Sequence, residues 1–123
     1  VSAMNPFTLA AFEAAYREGA DWLDALRAYL AGNRQRVMDF LASEARLRCI
    51  PPEASCLMWL DCRGLQLDDA DLRDFFIRRA GLGLNDGPSF GPGGSGFMRL
   101  NIGTRRALLE QALAQLGNAL SSI

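Results

Sequence analysis

Phe97-Met98-Arg99-Leu100-Asn101-Ile102 alternates apolar and polar positions. Side chains switch faces along a strand, so Met98, Leu100 and Ile102 share one apolar face, and Phe97, Arg99 and Asn101 share the other. Thr104 then supplies a cap for a final helix whose apolar stripe runs through Leu108, Leu109, Ala112, Leu116 and Leu120. The strand's apolar face matches that stripe, which makes a sheet covered by a helix. Arg99 is left mid-strand, on the face opposite the core. A guanidinium fork on a rigid strand suits bidentate capture of a carboxylate. From alternation alone, a solvent-facing arginine or a structural ion pair is the plainer reading.

Upstream of this strand, Gly91-Pro92-Gly93-Gly94-Ser95-Gly96 has the spacing GxGxxG. A dinucleotide site is rejected, because that motif works between a strand and a helix whose N-terminus faces pyrophosphate, and here a strand follows. A P-loop is excluded by the missing lysine. The segment from Gly87 to Gly96 reads as a flexible turn, or as backbone that meets a ligand or a neighbouring domain. Before it, Leu82 to Asn85 reads as a short strand. Asp68 caps a helix from Asp69 to about Ala80, with Leu72, Phe75 and Phe76 as its buried stripe and Gly81 and Gly83 as its stop. Leu57 to Cys62 reads as a strand that Asp61 closes.

Ile50-Pro51-Pro52 ends any helical register before that strand. The periodicity of Trp22, Leu23, Leu26, Tyr29 and Leu30, then Val37, Met38, Phe40 and Leu41, predicts one helix from Asp21 to about Ala45. Gly32-Asn33 is its weak point, at a cost of about 1 kcal/mol for the glycine. A first helix starts at Pro6, is capped by Asn5 and ends near Gly19. Phe7, Leu9, Phe12 and Tyr16 make it apolar around most of its circumference, which asks for burial on more than one side. A connecting helix between two domains would meet that demand. The order is helix, helix, strand, helix, strand, strand, helix. The expected fold is an α/β (α+β) two-layer sandwich, with a small, mostly antiparallel or mixed sheet covered by helices.

Composition narrows the function. The chain has 123 residues, half of them apolar, which fits one domain with a real core. Its net charge of -1 argues against a nucleic-acid partner, since phosphate neutralisation needs a basic excess. No apolar run suits a membrane span, and Val1 to Asn5 lacks a signal-peptide pattern, so a cytoplasmic location is expected. Cys49, Cys56 and Cys62 have neither CxxC spacing nor a histidine to complete a metal site, and read as small hydrophobes in a reducing compartment. All 13 basic residues are arginine, with no lysine and no histidine. Schiff-base chemistry and histidine general-base chemistry are both outside this chain's means.

Taken together, several blocks resemble a known family. They are Gly81-Leu82-Gly83-Leu84-Asn85-Asp86-Gly87, Phe90-Gly91, Gly94, and Gly96 through Ile102. Glu13 to Arg17, Asp21 to Leu26, and Trp59 to Arg63 fit the same pattern. In order and over almost the whole chain, they resemble the C-terminal part of class I/II aminotransferase-like pyridoxal-phosphate (PLP) enzymes, in the branch of MalY/PatB-type cystathionine β-lyases.

That resemblance implies fold type I architecture, in which a large domain carries the PLP lysine and the C-terminal segment builds a small domain, with residues 1–18 as the interdomain connecting helix and residues 19–123 as the small domain. It implies a homodimer with cofactor at the interface and cleft, an amino-acid substrate, Arg99 on the substrate α-carboxylate, and Phe90 and Gly91 lining the cleft. With the lysine-bearing domain elsewhere, this chain alone is expected to bind no PLP, to be inactive and to self-associate. An aminotransferase parent is a second expectation. A stand-alone, non-catalytic interaction module, using the apolar first helix as its partner surface, is a third.

Overall fold

Residues 5–123 are described in the computed structural model. Expectations for residues 1–4, the first part of the 1–18 connecting segment and most of the signal-peptide reading, lie outside them. Two five-residue strands form the centre: β2 (Leu57–Asp61) and β4 (Phe97–Asn101). They pair antiparallel with Met58 opposite Leu100 and Leu60 opposite Met98. This register stacks four apolar side chains on one face. Two short strands flank them, β1 (Arg48–Cys49) beside β2 and β3 (Asn85–Asp86) beside β4, giving the order β1-β2-β4-β3. Every pairing is antiparallel.

Three helices cover the apolar face: α2 (Ala20–Ala42), α3 (Asp69–Asp74) and α4 (Arg106–Leu120). Val37 and Leu41 of α2, Leu72 of α3, and Leu109, Leu116 and Leu120 of α4 join Met58, Leu60, Met98, Leu100 and Ile102 in one core. The opposite sheet face carries Leu57, Trp59, Asp61, Phe97, Arg99 and Asn101, none of them fully buried. The two-layer sandwich is thus as expected, with helices on one side of the sheet only.

Helix α1 (Pro6–Glu18) starts where Asn5 accepts hydrogen bonds from the Phe7 and Thr8 amides at 2.7 and 3.4 Å. No residue of α1 is buried, and Phe7 and Tyr16 are 84% and 80% exposed. The burial its composition demands is not supplied within residues 5–123. No helix among the described residues is long and apolar enough to cross a membrane.

Several elements differ from expectation. α2 stops at Ala42, where Ser43 caps the last turn by donating from Oγ to the Phe40 carbonyl. β1 was not predicted, because two residues are too few to show alternation. The strand expected at Leu82 to Asn85 forms instead at Asn85–Asp86, while Leu82 and Leu84 are half-buried against the core. The helix after Asp68 widens at Phe75–Arg79 into a π turn, with the Ala80 amide on the Phe75 carbonyl, and Phe75 and Phe76 are both buried there. Thr104 does not cap α4: Arg105 stands at that position without a side-chain cap, and the Thr104 carbonyl instead accepts from Asn33 at 3.0 Å. Leu108 is half exposed rather than buried, and Ala119 takes a place in the core.

Gly32-Asn33 proves to be a junction, not a weak point. Asn33 is fully buried. Its Nδ2 donates to the carbonyls of Ile102 and Thr104 at 2.9 and 3.0 Å, and its Oδ1 accepts from Arg106 Nε at 3.1 Å. One side chain so ties α2 to the end of β4 and the start of α4. Gly32 leaves room for the same arginine, whose guanidinium would meet a Cβ there.

Candidate functional site

On the open face of the sheet, β4 presents Arg99 between two neighbours fixed by strand register. Trp59 of β2 pairs across from it on one side, and Asn85 of β3 on the other. An amino group of Arg99 donates to Asn85 Oδ1 at 2.9 Å. The guanidinium carbon lies 4.6 Å from the centre of the Phe90 ring, a cation–π stack that fixes its plane. Phe90 meets Trp59 edge-on at 5.6 Å, and Trp59 stacks on Phe97 at 5.6 Å. Arg63 closes the row 5.0 Å from Phe97, held by two bonds to the Asp61 carboxylate at 2.9 and 2.7 Å. The result is a floor of three aromatic rings with an arginine at each end.

The two arginines differ in their charge balance. Arg63 is neutralised, and its hydrogen bonds hold the Asp61 carboxyl below the usual carboxylate range. Arg17, Arg27, Arg36, Arg46 and Arg78 also have acid partners within ion-pair distance. Arg99 is half-buried and bonds only to an amide oxygen. Its Nε is the one buried side-chain nitrogen or oxygen without a hydrogen-bond partner among the described residues. A guanidinium has five N–H donors and no acceptor. Withdrawing such a charge from water without an anion is costly, so the arrangement fits a site that an anion completes. The three concavities around Arg46 and Arg63, between α2 and residues 52–56, and beside Phe75 do not include Arg99. Arg99 and its aromatic neighbours lie instead on the open face of the sheet.

The glycine-rich segment is fixed rather than loose. It forms two short 3₁₀ turns, Gly87–Phe90 and Pro92–Gly94, joined at Gly91. Gly87 and Gly94 pass so closely that a Cβ on either would collide with the backbone of the other. Asp69, in the first turn of α3, accepts from Ser95 Oγ at 2.9 Å and from the Gly96 amide at 2.8 Å. This holds Phe90 over the sheet. Gly91 takes φ 125°, which requires glycine, but a Cβ there would touch nothing. The structure therefore brings Phe90 to Arg99, whereas Gly91 serves the turn and leaves open space around it.

Sequence reasoning missed Trp59 and Asn85. The run Leu57 to Cys62 is apolar on both faces, so alternation did not single out the tryptophan. Asn85 sits on a two-residue strand that only the sheet register places beside Arg99. Burial pushes the Cys62 thiol up to about 12 and also raises the Cys49 thiol, which makes both poor nucleophiles. No group of three potential metal ligands occurs among the described residues.

No family model matches the chain. Among curated proteins, cystathionine β-lyase PatB of Bacillus subtilis is 40% identical over 119 residues, covering 96% of this chain and 31% of PatB. Protein MalY of Escherichia coli is 38% identical over 124 residues, covering all of this chain and 32% of MalY. Among solved structures, cystalysin from Treponema denticola, which contains a pyridoxal 5'-phosphate cofactor, superposes with a TM-score of 0.93. It is 28% identical, over 98% of this chain and 31% of cystalysin. The chain spans about a third of the length of the curated relatives it matches. Its homologues are the MalY/PatB-type cystathionine β-lyases, and over its whole length it matches about the C-terminal third of them.

Proposed function

We propose that this domain forms the substrate-side half of a PLP-dependent carbon–sulfur β-lyase, with Arg99 receiving the α-carboxylate of an amino-acid substrate. The observation that carries the reading is the charge state of the floor: a half-buried guanidinium, stacked on Phe90, with no acid of its own. The names of PatB and its relatives supply the reaction class. Phe90 holds the plane of the fork, and Asn85 takes one of its donors. The chain has no lysine, so it cannot hold the cofactor covalently, and that task falls to a large domain outside these residues. When bound, the cofactor supplies an electron sink for the bonds at Cα. Arg99 breaks no bond. It fixes the carboxylate so that the Cα–H bond stays in a reactive orientation. The bare rings of α1 are covered by that large domain in this reading, which makes α1 the connecting helix. The active assembly is a homodimer.

Arg99→Ala in the full-length enzyme tests the assignment. A bidentate charged contact is worth about 1.5–3 kcal/mol, so kcat/KM falls about 10- to 150-fold. An unchanged kcat/KM would refute it. Pyruvate release from L-cystathionine, set against amino transfer to a keto acid, distinguishes lyase from aminotransferase, since both reactions use the same carboxylate contact.

A further inference from the structure

We infer that Asn85 is a positioning residue that keeps the charge of Arg99 available, and thereby makes the site select ligands with a free carboxylate. The inference rests on the reading of Arg99 as a carboxylate receptor and adds to it the group that sets its selectivity.

Asn85 and Asp86 are adjacent on β3, and the strand pairs them with Arg99 and Met98 in that order. Alternation sends successive side chains to opposite faces, so the amide shares the face of Arg99 and the acid does not. A slip of one residue would place a carboxylate against the guanidinium. The local hydrogen bond would survive such a change, and even strengthen, because either side chain offers an oxygen acceptor. What would be lost is the unneutralised charge. Arg63, on the same face, shows the alternative: Asp61 grips its guanidinium through two bonds. Of the two arginines that flank the aromatic floor, the one tethered by an amide is the one left with charge to offer.

A purely structural role for Asn85 predicts that aspartate, which has the same shape and still accepts, is tolerated better than alanine. A role in preserving charge predicts the reverse. The test uses the full-length holoenzyme and measures the apparent Kd of L-alanine and of L-alanine methyl ester through the change in cofactor absorbance. Both probes carry an amine, and only the first has an anionic carboxylate. Asn85→Asp is expected to lower the preference for the acid over the ester by about 10- to 100-fold, and Asn85→Ala by about 2- to 10-fold. Arg99→Ala, measured alongside, is expected to abolish the preference. If Asn85→Asp keeps the preference as well as Asn85→Ala does, or if both variants match the wild type, the role of Asn85 is overturned while Arg99 stands. If Arg99→Ala keeps the preference, the carboxylate reading itself fails.

Discussion

Asn33 holds three parts of the domain together through one buried amide, and its removal makes a quantitative test of how the sheet is anchored. Alanine at this position deletes both donors to the Ile102 and Thr104 carbonyls and the acceptor for Arg106 Nε. The first of these bonds is buried, and the other two are part-buried. A buried carbonyl left without a donor costs about 1–3 kcal/mol. A part-buried one is partly rescued by water, and the arginine keeps its bond to the Tyr29 carbonyl at 3.1 Å. The sum is about 3 kcal/mol, or about 10–15 °C in Tm for a domain of this size. Urea unfolding followed by far-ultraviolet circular dichroism reads it as a lower midpoint with an unchanged slope. Asn33→Asp is expected to be at least as damaging, since a buried carboxylate then faces two carbonyl oxygens. Stability within about 1 kcal/mol of wild type in Asn33→Ala would refute the reasoning, because a desolvated carbonyl cannot lose its donor that cheaply.

Two further outcomes follow from ionisation. Burial pushes the Cys62 thiol up to about 12, so iodoacetamide at pH 8 is expected to leave Cys62 unmodified in the folded chain and to modify it after denaturation. Mass spectrometry that finds Cys62 labelled as fast as the half-buried Cys56 would contradict this. Hydrogen bonds from Arg63 and Arg46 hold the Asp61 and Glu44 carboxyls below their ordinary range. A carboxyl depressed in the folded state adds stability above its unfolded pKa and loses it as pH falls through the folded value. The urea midpoint should therefore drop below about pH 4, and less steeply in the Asp61→Asn, Glu44→Gln double variant. Equal acid slopes in the two proteins would show that these pairs carry no linkage.

What the sequence revealed depended on how far its physical signal extends along the chain. Five alternating residues were enough to place Met98 and Leu100 in the core and Arg99 outside it. The cap at Asp68 was equally plain, because its partner, the Asp71 amide, is three residues away. Signals failed where the partner is distant. Nothing local to Asn33 announces bonds to residues about seventy positions on, so a helix glycine and asparagine read as a weakness. By sequence Leu108 reads as part of the stripe of α4, yet the buried stripe runs through Leu109, Leu116, Ala119 and Leu120, and Leu108 is half exposed beside it. The glycine-rich segment suggested mobility, but its order depends on Asp69 and on the close passage of Gly87 and Gly94.

In the proposed function, the two faces of β4 divide stability from recognition. Met98 and Leu100 bury almost completely and fix the strand to the helices, so the backbone that carries Arg99 cannot follow the movements of its own side chain. Phe90 and Asn85 then restrict that side chain from a turn and a neighbouring strand, and Trp59 packs edge-on against Phe90. Rotamer entropy of a long side chain is about 2 kcal/mol, and a receptor that freezes it only on binding loses that much affinity. Here the fork is held before any ligand arrives, by contacts that do not consume its charge. A strand arginine on an open sheet face without such neighbours would have the same sequence signature and be a weaker receptor. In the proposed function, the aromatic floor and the amide matter to carboxylate binding as much as the arginine does.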